Sequence, residues 1–226
     1  MDPIKPERNG VKPLARREKP DFSRARAESI AKERLANGKD EMWKHVIDFG
    51  WQEVEPGVHL FYVRWGKKGG VPFMMLHGGP GHMFNDTHFA LMDATVHDVV
   101  AFDQRGSGAS YPLASEMTKE WAQDVGNPLH VVRDTEHMRQ TFFSGKKIHV
   151  AGGSWGSTAA LLYAEEHPDQ VASLQLWSGF IGSRAEVENM LADPTGKKDF
   201  PYRREYQWFI SHIPPEGRGD VISFLY

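Results

Sequence analysis

Short apolar runs recur along the chain between residues 71 and 177. The runs 72–76 and 99–102 are apolar at every position, as expected for strands buried on both faces of a sheet. Two further runs, 148–151 and 171–177, mix β-branched and apolar residues and also predict strands. Helices are predicted between them, around 85–92, at 128–143 and at 157–166. This alternation predicts an α/β fold with a mostly parallel sheet and right-handed crossovers.

The pattern is different upstream of residue 71. The segments 51–54 and 59–65 flank a turn at Glu55-Pro56-Gly57, which predicts a leading antiparallel hairpin. A short helix is predicted between residues 40 and 49, where Met42, Val46 and Phe49 would share one face. In the helix at 128–143, the residues expected on the inner side are Leu129, Val132, Met138 and Phe142.

The first 40 residues are rich in Lys, Arg and Pro, with acids interleaved. This composition predicts a solvated, partly disordered tail up to about Asp21. A helix is then predicted from Ser23, a favourable N-cap residue, to a stop signal at Asn37-Gly38. We therefore expect a basic N-terminal extension at 1–40.

Composition narrows the classes of function. The chain has 226 residues, enough for one domain with a real core, and its net charge of −3 gives no reason to expect a nucleic-acid partner. Cysteine is absent, so neither a disulfide nor a thiolate nucleophile is expected. No metal or cofactor is expected, because the sequence has no His-Glu-x-x-His pair and no phosphate-loop motif. No apolar run reaches the ~18 residues of a membrane span and no secretory signal is evident, so the prediction is a cytoplasmic protein without a membrane partner.

The candidate chemistry centres on a Gly-x-Ser-x-Gly sequence at residues 152–156. It follows the predicted strand 148–151 and precedes a helix rich in small residues. Gly152 and Gly156 let the backbone pass closely, so Ser154 should stand on a strained turn at the carboxyl end of the strand. A glycine-rich turn with an ordinary serine is the alternative interpretation.

Two more glycine-rich loops follow predicted strands. One is His77–His82 and the other is Asp103–Ser110. Ligand sites of parallel α/β sheets lie at the carboxyl ends of the strands. We therefore expect both loops to converge with Ser154 on one site.

Three segments resemble the proline iminopeptidases, which are α/β-hydrolase-fold serine peptidases that remove an N-terminal proline. The segments are His77-Gly78-Gly79-Pro80-Gly81, Asp103-Gln104-Arg105-Gly106-Ser107-Gly108 and Gly152-Gly153-Ser154-Trp155-Gly156-Ser157-Thr158. Their order and spacing also match the family, and the resemblance covers about Trp51 to the end of the chain.

The resemblance implies a role for each matching residue. Ser154 would be the nucleophile, and the backbone N–H groups of Gly79 and Trp155 would form the oxyanion hole. Asp103 and Arg105 would shape the floor of the site, and we interpret them as a structural ion pair or turn clamp rather than as catalytic groups. The other residues expected to shape the site are His77, Gly78, Pro80, Gly81, Gly152, Gly153 and Gly156.

Parts of the family pattern have no counterpart in this sequence. In α/β hydrolases the triad acid and histidine follow the nucleophile, on later parts of the sheet. This chain enters what resembles the helical cap at about Phe180 and ends at Tyr226, so we expect a C-terminally truncated chain and a very poor peptidase. A sheet edge exposed near Val171–Trp177 would favour self-association. His82 is a weak candidate for a replacement base and His212 a weaker one. Five other histidines are interpreted as structural, namely His45, His59, His97, His137 and His149.

The predicted organisation is an N-terminal extension at 1–40, an incomplete α/β-hydrolase core at 41–179 and the start of a helical cap at 180–226. The predicted function is that of a serine aminopeptidase whose partner is a small peptide with an N-terminal proline. The alternative is a catalytically inactive fragment or binding module of the same fold. An esterase is disfavoured because the Gly-Gly-Ser-Trp-Gly-Ser segment resembles the iminopeptidase version of the turn.

Overall fold

The computed structural model describes residues 20–36, 41–118 and 127–180. Within these ranges the strands are β1 (Val46–Glu55), β2 (Val58–Gly66), β3 (Val71–Leu76), β4 (His97–Phe102), β5 (Ile148–Gly153) and β6 (Val171–Trp177). They form a six-stranded sheet in the order β1-β2-β4-β3-β5-β6. β1 and β2 form an antiparallel hairpin, β2 pairs antiparallel with β4, and β4, β3, β5 and β6 run parallel. The predicted α/β fold with a leading hairpin is confirmed.

Four helices accompany these strands in the described ranges. They are α1 (Arg24–Ala36), α2 (Asp86–Phe89), α3 (Pro128–Phe143) and α4 (Trp155–Glu166). α3 has its predicted bounds, because Asn127 caps it by accepting a hydrogen bond from the Leu129 amide and Pro128 occupies its first turn. α2 is much shorter than the predicted helix around 85–92.

Apolar residues alternate between two cores, one on each face of the sheet. In β3, Met74 and Leu76 share a core with residues of α3 and α4, whereas Phe73 and Met75 share the other core with residues of α1 and α2. All four side chains are buried. Burying one such side chain stabilises the fold by about 1.5–3 kcal/mol, so both faces of β3 select apolar residues. This explains why the run at 72–76 is apolar at every position.

Two local predictions were wrong. The segment 40–49 is not a helix in its described part, because a short 3₁₀ turn at Trp43–His45 leads into β1 at Val46. Phe49 lies opposite Val63 in the hairpin, and this pairing outweighs the helical spacing of a few apolar residues. In α3, Leu129 was expected on the inner side but is 47% exposed, and Val131 is buried in its place. The predicted inner positions of Val132 and Met138 are confirmed, because both are buried.

α1 confirms the predicted helix but belongs to the core. The Arg26 amide donates to the hydroxyl of Ser23, which caps the helix as expected. Its buried residues share one core with the sheet and are Ala27, Ile30, Ala31 and Leu35. The division at residue 40 therefore does not separate α1 from the core, whose compact unit ends at Gly179. Residues 1–19 and, after Phe180, the predicted cap lie outside the described residues.

β6 forms one edge of the sheet in the described part of the chain. None of its residues is buried, and Leu176 is 40% exposed. Self-association through this edge stays a prediction. The helices that the structure describes include none that is long and apolar enough to cross a bilayer.

Candidate active site

Ser154 lies on a strained turn between β5, which ends at Gly153, and α4, which begins at Trp155. Its φ is 54° and its ψ is −125°, a combination that residues other than glycine rarely adopt. The residue is exposed at the carboxyl end of its strand. The predicted position and strained backbone of Ser154 are therefore confirmed.

Glycines around Ser154 allow the turn to pack against neighbouring backbone. A Cβ atom on Gly152 would collide with the carbonyl group of Gly156, and one on Gly156 would collide with the carbonyl group of Leu76. A Cβ atom on Gly153 would collide with the indole of Trp177. The turn is therefore held closely between the ends of β3 and β6.

Trp177 is a site residue that sequence reasoning missed. Its indole packs against Gly153, and its carbonyl oxygen accepts a 3.2 Å hydrogen bond from the Ser154 amide. The bond anchors the strained residue to the end of β6. The only signal in the sequence was the position of Trp177 at the end of the strand predicted after the Ser154 segment.

The loop that follows β3 runs beside Ser154. We call residues 77–84 the oxyanion loop, after the role that the family resemblance predicts for Gly79. A methyl group on Gly78 would lie 3.4 Å from the Cβ atom of Ser154 and 3.1 Å from the carbonyl oxygen of Gly153. Gly79 and Gly81 have φ values of 128° and 85°, which suit glycine. The predicted convergence of this loop with Ser154 is confirmed.

His77 orients the peptide between Gly78 and Gly79. The buried ring has Nε2 3.0 Å from the amide nitrogen of Gln104 and Nδ1 2.8 Å from the carbonyl oxygen of Gly78. Because the Gln104 amide can only donate, Nε2 accepts, and Nδ1 carries the proton donated to Gly78. Burial lowers the pKa of His77 to about 4, so the ring is neutral at pH 7. The C=O and N–H of a trans peptide point in opposite directions, so the Gly79 N–H points away from His77.

Gln104 connects the oxyanion loop to the turn at Ser154. Its Nε2 donates to the carbonyl oxygen of His77 at 2.9 Å, and its Oε1 accepts from Trp155 Nε1 at 2.9 Å. Hydrogen bonds therefore run from Trp155 through Gln104 and His77 to Gly78. Sequence reasoning named the neighbours Asp103 and Arg105 but gave Gln104 no role of its own. A glutamine inside a glycine-rich turn was the only available signal.

Asp103 and Arg105 pair with partners elsewhere rather than with each other. The buried Asp103 carboxylate contacts the guanidinium of Arg34 at 2.7 and 2.8 Å. It also accepts hydrogen bonds from the amides of Phe84 and Ala109. Burial raises the pKa of Asp103, and Arg34 and these amides act against that rise.

Arg105 points in another direction. It donates two hydrogen bonds to Asp134 of α3, of 2.7 and 2.8 Å, and one of 2.6 Å to Glu55 of β1. Burial raises the pKa of Asp134, and the Arg105 guanidinium opposes this. Both contacts agree with the interpretation of Asp103 and Arg105 as clamps of their turn.

Among residues 20–36, 41–118 and 127–180, no histidine is hydrogen-bonded to Ser154. His82 is exposed, with Nδ1 3.0 Å from the carbonyl oxygen of Met83. His212 lies outside the described residues. Nor does the described part of the chain contain a group of His, Asp and Glu residues that could hold a metal ion. The five histidines interpreted as structural contact other parts of the protein: His45 packs on Trp65, His59 on Phe22, and His97, His137 and His149 have polar contacts with Asp93, Gln52 and Ser173.

Residues 71–213 match the family model of the α/β hydrolase fold. The chain therefore belongs to the α/β hydrolase fold family. A proline iminopeptidase of Xylella fastidiosa is 36% identical over 177 residues, which are 78% of this chain and 53% of that protein. One from Neisseria gonorrhoeae is 32% identical over 80% of this chain and 55% of its own length. The resemblance to the proline iminopeptidases is confirmed, and the chain spans about half the length of the curated relatives it matches.

Two solved structures share the fold. A proline iminopeptidase-related protein from Thermus thermophilus gives a TM-score of 0.53 at 22% identity, covering 76% of this chain and 59% of that one. A putative lipase from Acinetobacter baumannii gives 0.54 at 19% identity, covering 85% and 60%. At these identities the two structures show the fold alone.

Proposed function

We propose that this chain carries the nucleophile and the oxyanion hole of a serine hydrolase that releases N-terminal proline from peptides. The observation that carries the proposal is the strained, exposed Ser154 at the carboxyl end of β5. The substrate class rests on the names of the relatives, several of which are proline iminopeptidases.

The proposed reaction proceeds through an acyl-enzyme. Ser154 Oγ adds to the carbonyl carbon of the N-terminal prolyl residue, and its proton passes to a base. The resulting oxyanion accepts hydrogen bonds from the N–H groups of Gly79 and Trp155. The C–N bond then breaks, the shortened peptide leaves as a protonated amine, and water hydrolyses the prolyl ester to free proline and the serine hydroxyl.

Two features support this placement of the oxyanion hole. The neutral His77 holds the carbonyl oxygen of Gly78, so the next N–H points the opposite way. The Trp155 N–H is the first of α4, and a helix N-terminus favours developing negative charge. The convergence of both amides on one point beside Ser154 stays a prediction.

A binding module with the same pocket is the second candidate function. The observation that favours it is that no histidine of the described residues is hydrogen-bonded to Ser154. Without a base, a serine hydroxyl is a weak nucleophile at neutral pH. Such a module would bind the amino-terminal end of a peptide without cleaving it.

The first test measures covalent labelling of Ser154 by a fluorophosphonate and turnover of a proline arylamide. In the wild-type chain we expect labelling and only weak turnover, because a serine hydroxyl without a base is a weak nucleophile. We expect neither in Ser154→Ala. Ser178→Ala is the matched control, because Ser178 is also an exposed serine with positive φ, at 48°, directly after β6. It should behave like the wild type.

The amount of turnover separates the two candidates. Loss of the histidine from a comparable triad lowers kcat by about 10⁶. Labelling and turnover that depend on Ser154 support the hydrolase. Turnover no faster than in Ser154→Ala, together with saturable binding of a peptide that begins with proline, supports the binding module.

A further inference from the structure

We propose that Arg34 of α1 is a positioning residue that holds the oxyanion loop in place through Asp103. This inference rests on the proposed function, in which that loop supplies the Gly79 N–H. Arg34 precedes the segment that matches the family model, which begins at residue 71. The role that we propose for Arg34 is therefore argued from the contacts of α1 and not from the family match.

Arg34 reaches from α1 into the interior beneath the loop. Its side chain is only 9% exposed, and Nη1 lies 2.8 Å from Oδ1 and 2.7 Å from Oδ2 of the fully buried Asp103 carboxylate. The guanidinium also lies over the rings of Phe61 and Phe84, at 5.1 and 4.8 Å from their centroids. Arginine suits this place because its flat, weakly hydrated group can pair and stack at the same time.

The Asp103 carboxylate holds two loops at once. Oδ1 accepts a 3.2 Å hydrogen bond from the amide of Phe84, the last residue of the oxyanion loop. Oδ2 accepts a 2.7 Å hydrogen bond from the amide of Ala109. The carboxylate also fills the space beside Gly108, where a Cβ atom would collide with it. Moving this carboxylate would release both loops.

Arg34 keeps the carboxylate in a position to accept all of these bonds. A buried carboxylate without a cationic partner takes up a proton or turns towards water. A protonated carboxyl group has to donate its own hydrogen and loses an acceptor site. The Phe84 amide would then lose this hydrogen bond, and that end of the oxyanion loop would be held only by the packing of the buried Phe84 side chain. We therefore expect the Gly79 N–H to lose alignment when Arg34 is replaced.

The test compares Arg34→Met, Arg34→Lys and the control Arg24→Met in the full chain. Arg24 lies on the same helix, pairs with Asp48 at 2.7 Å and lies over the ring of Phe49, but at the surface and away from Asp103. Hydrogen–deuterium exchange is followed by mass spectrometry for peptides covering residues 77–84, 106–110 and 148–153. The rate of fluorophosphonate labelling at Ser154 is measured on the same samples.

Arg34→Met should raise exchange at 77–84 and 106–110 by about tenfold while 148–153 in β5 stays protected. Labelling of Ser154 should slow by about tenfold or more, because misplacement of a positioned group by about 1 Å is costly. Arg34→Lys keeps the charge and should recover most of the labelling rate. Arg24→Met should match the wild type in both measurements.

Exchange at 77–84 that is no faster in Arg34→Met than in Arg24→Met would overturn the proposal. If Arg34→Met also raises exchange in β5, the variant is partly unfolded and Arg34→Lys becomes the test. In Arg34→Lys we expect exchange at 77–84 to rise about threefold while β5 stays protected. No rise there would overturn the proposal as well. A wild-type chain that is never labelled contradicts the proposed function, whereas the exchange data still decide the role of Arg34.

Discussion

The turn that exposes the Ser154 side chain also strains the Ser154 backbone. Its backbone, at φ 54° and ψ −125°, is close to the mirror image of the polyproline II conformation. An L-residue in such a region carries a strain of about 1–3 kcal/mol, whereas glycine adopts mirror-image conformations freely. Hydrogen bonds and close packing around the turn have to offset this strain.

Glycine at position 154 should therefore give a more stable chain than alanine at the same position. We expect Ser154→Gly to raise the free energy of unfolding by about 0.5–2 kcal/mol over Ser154→Ala, after the greater freedom of glycine in the unfolded chain is subtracted. Both variants lack the hydroxyl, so chemical denaturation of the pair isolates the backbone term. Equal stabilities would show that the turn is not strained.

The sequence predicts this turn better than the hydrogen bonds around it. Gly152 and Gly156 report a steric requirement at their own positions, and such local requirements can be recognised in a single chain. The links through Gln104 cannot, because its side chain bonds to Trp155, 51 residues away. A polar residue in a turn has many possible partners, and only the tertiary structure selects one.

At the scale of elements, one carboxylate links the two helices on the same face of the sheet. Glu136 of α3 accepts two hydrogen bonds from Arg139 and one of 2.8 Å from the hydroxyl of Tyr163 in α4. These bonds, chiefly from Arg139, lower the pKa of Glu136 to about 2. The stabilisation is fully present above the unfolded pKa of about 4.5 and is lost as the pH falls through about 2.

Glu136→Gln should remove this pH-dependent contribution. We expect the variant to be less stable by roughly 1–2 kcal/mol near neutral pH, because it loses charge-assisted hydrogen bonds. Its stability should also fall less than that of the wild type between about pH 5 and about pH 2.5. Urea unfolding across that range measures both effects, with the exposed Glu165→Gln on α4 as the control. If the free energies of unfolding of wild type and Glu136→Gln change in parallel with pH, the lowered pKa of Glu136 does not contribute to stability.

At the scale of the whole molecule, the first described helix is part of the core. A sequence pattern can predict that residues 24–36 form a helix, but not which surface the helix covers. The deciding contacts, such as that between Arg34 and Asp103, join residues 69 positions apart. The strands were easier to predict, because burial on both faces leaves a continuous apolar run. Where a segment had only a few apolar residues, as at 41–49, pairing with β2 overrode the helical spacing.

Leu35→Ala tests whether α1 unfolds together with the sheet. Leu35 is 1% exposed, and truncation of a buried leucine costs about 2–5 kcal/mol. We expect one cooperative transition, shifted by about that amount, when unfolding is followed by both fluorescence and circular dichroism. Leu91→Ala is the control, since Leu91 is 66% exposed. A separate early transition confined to α1 would instead identify it as an appended segment.

The hydrogen-bonded series from Trp155 through Gln104 and His77 to Gly78 has a consequence for kinetics. An indole, an amide, a neutral imidazole and a peptide carbonyl carry no net charge near pH 7, and His77 gains its proton only at about pH 4. The part of the Gly79 alignment that this series supplies is therefore insensitive to ionic strength and to pH above the acid range. An ionisation seen in a rate profile near neutrality then belongs to a group outside this series, and in the proposed mechanism the first candidate is the base that takes the proton from Ser154.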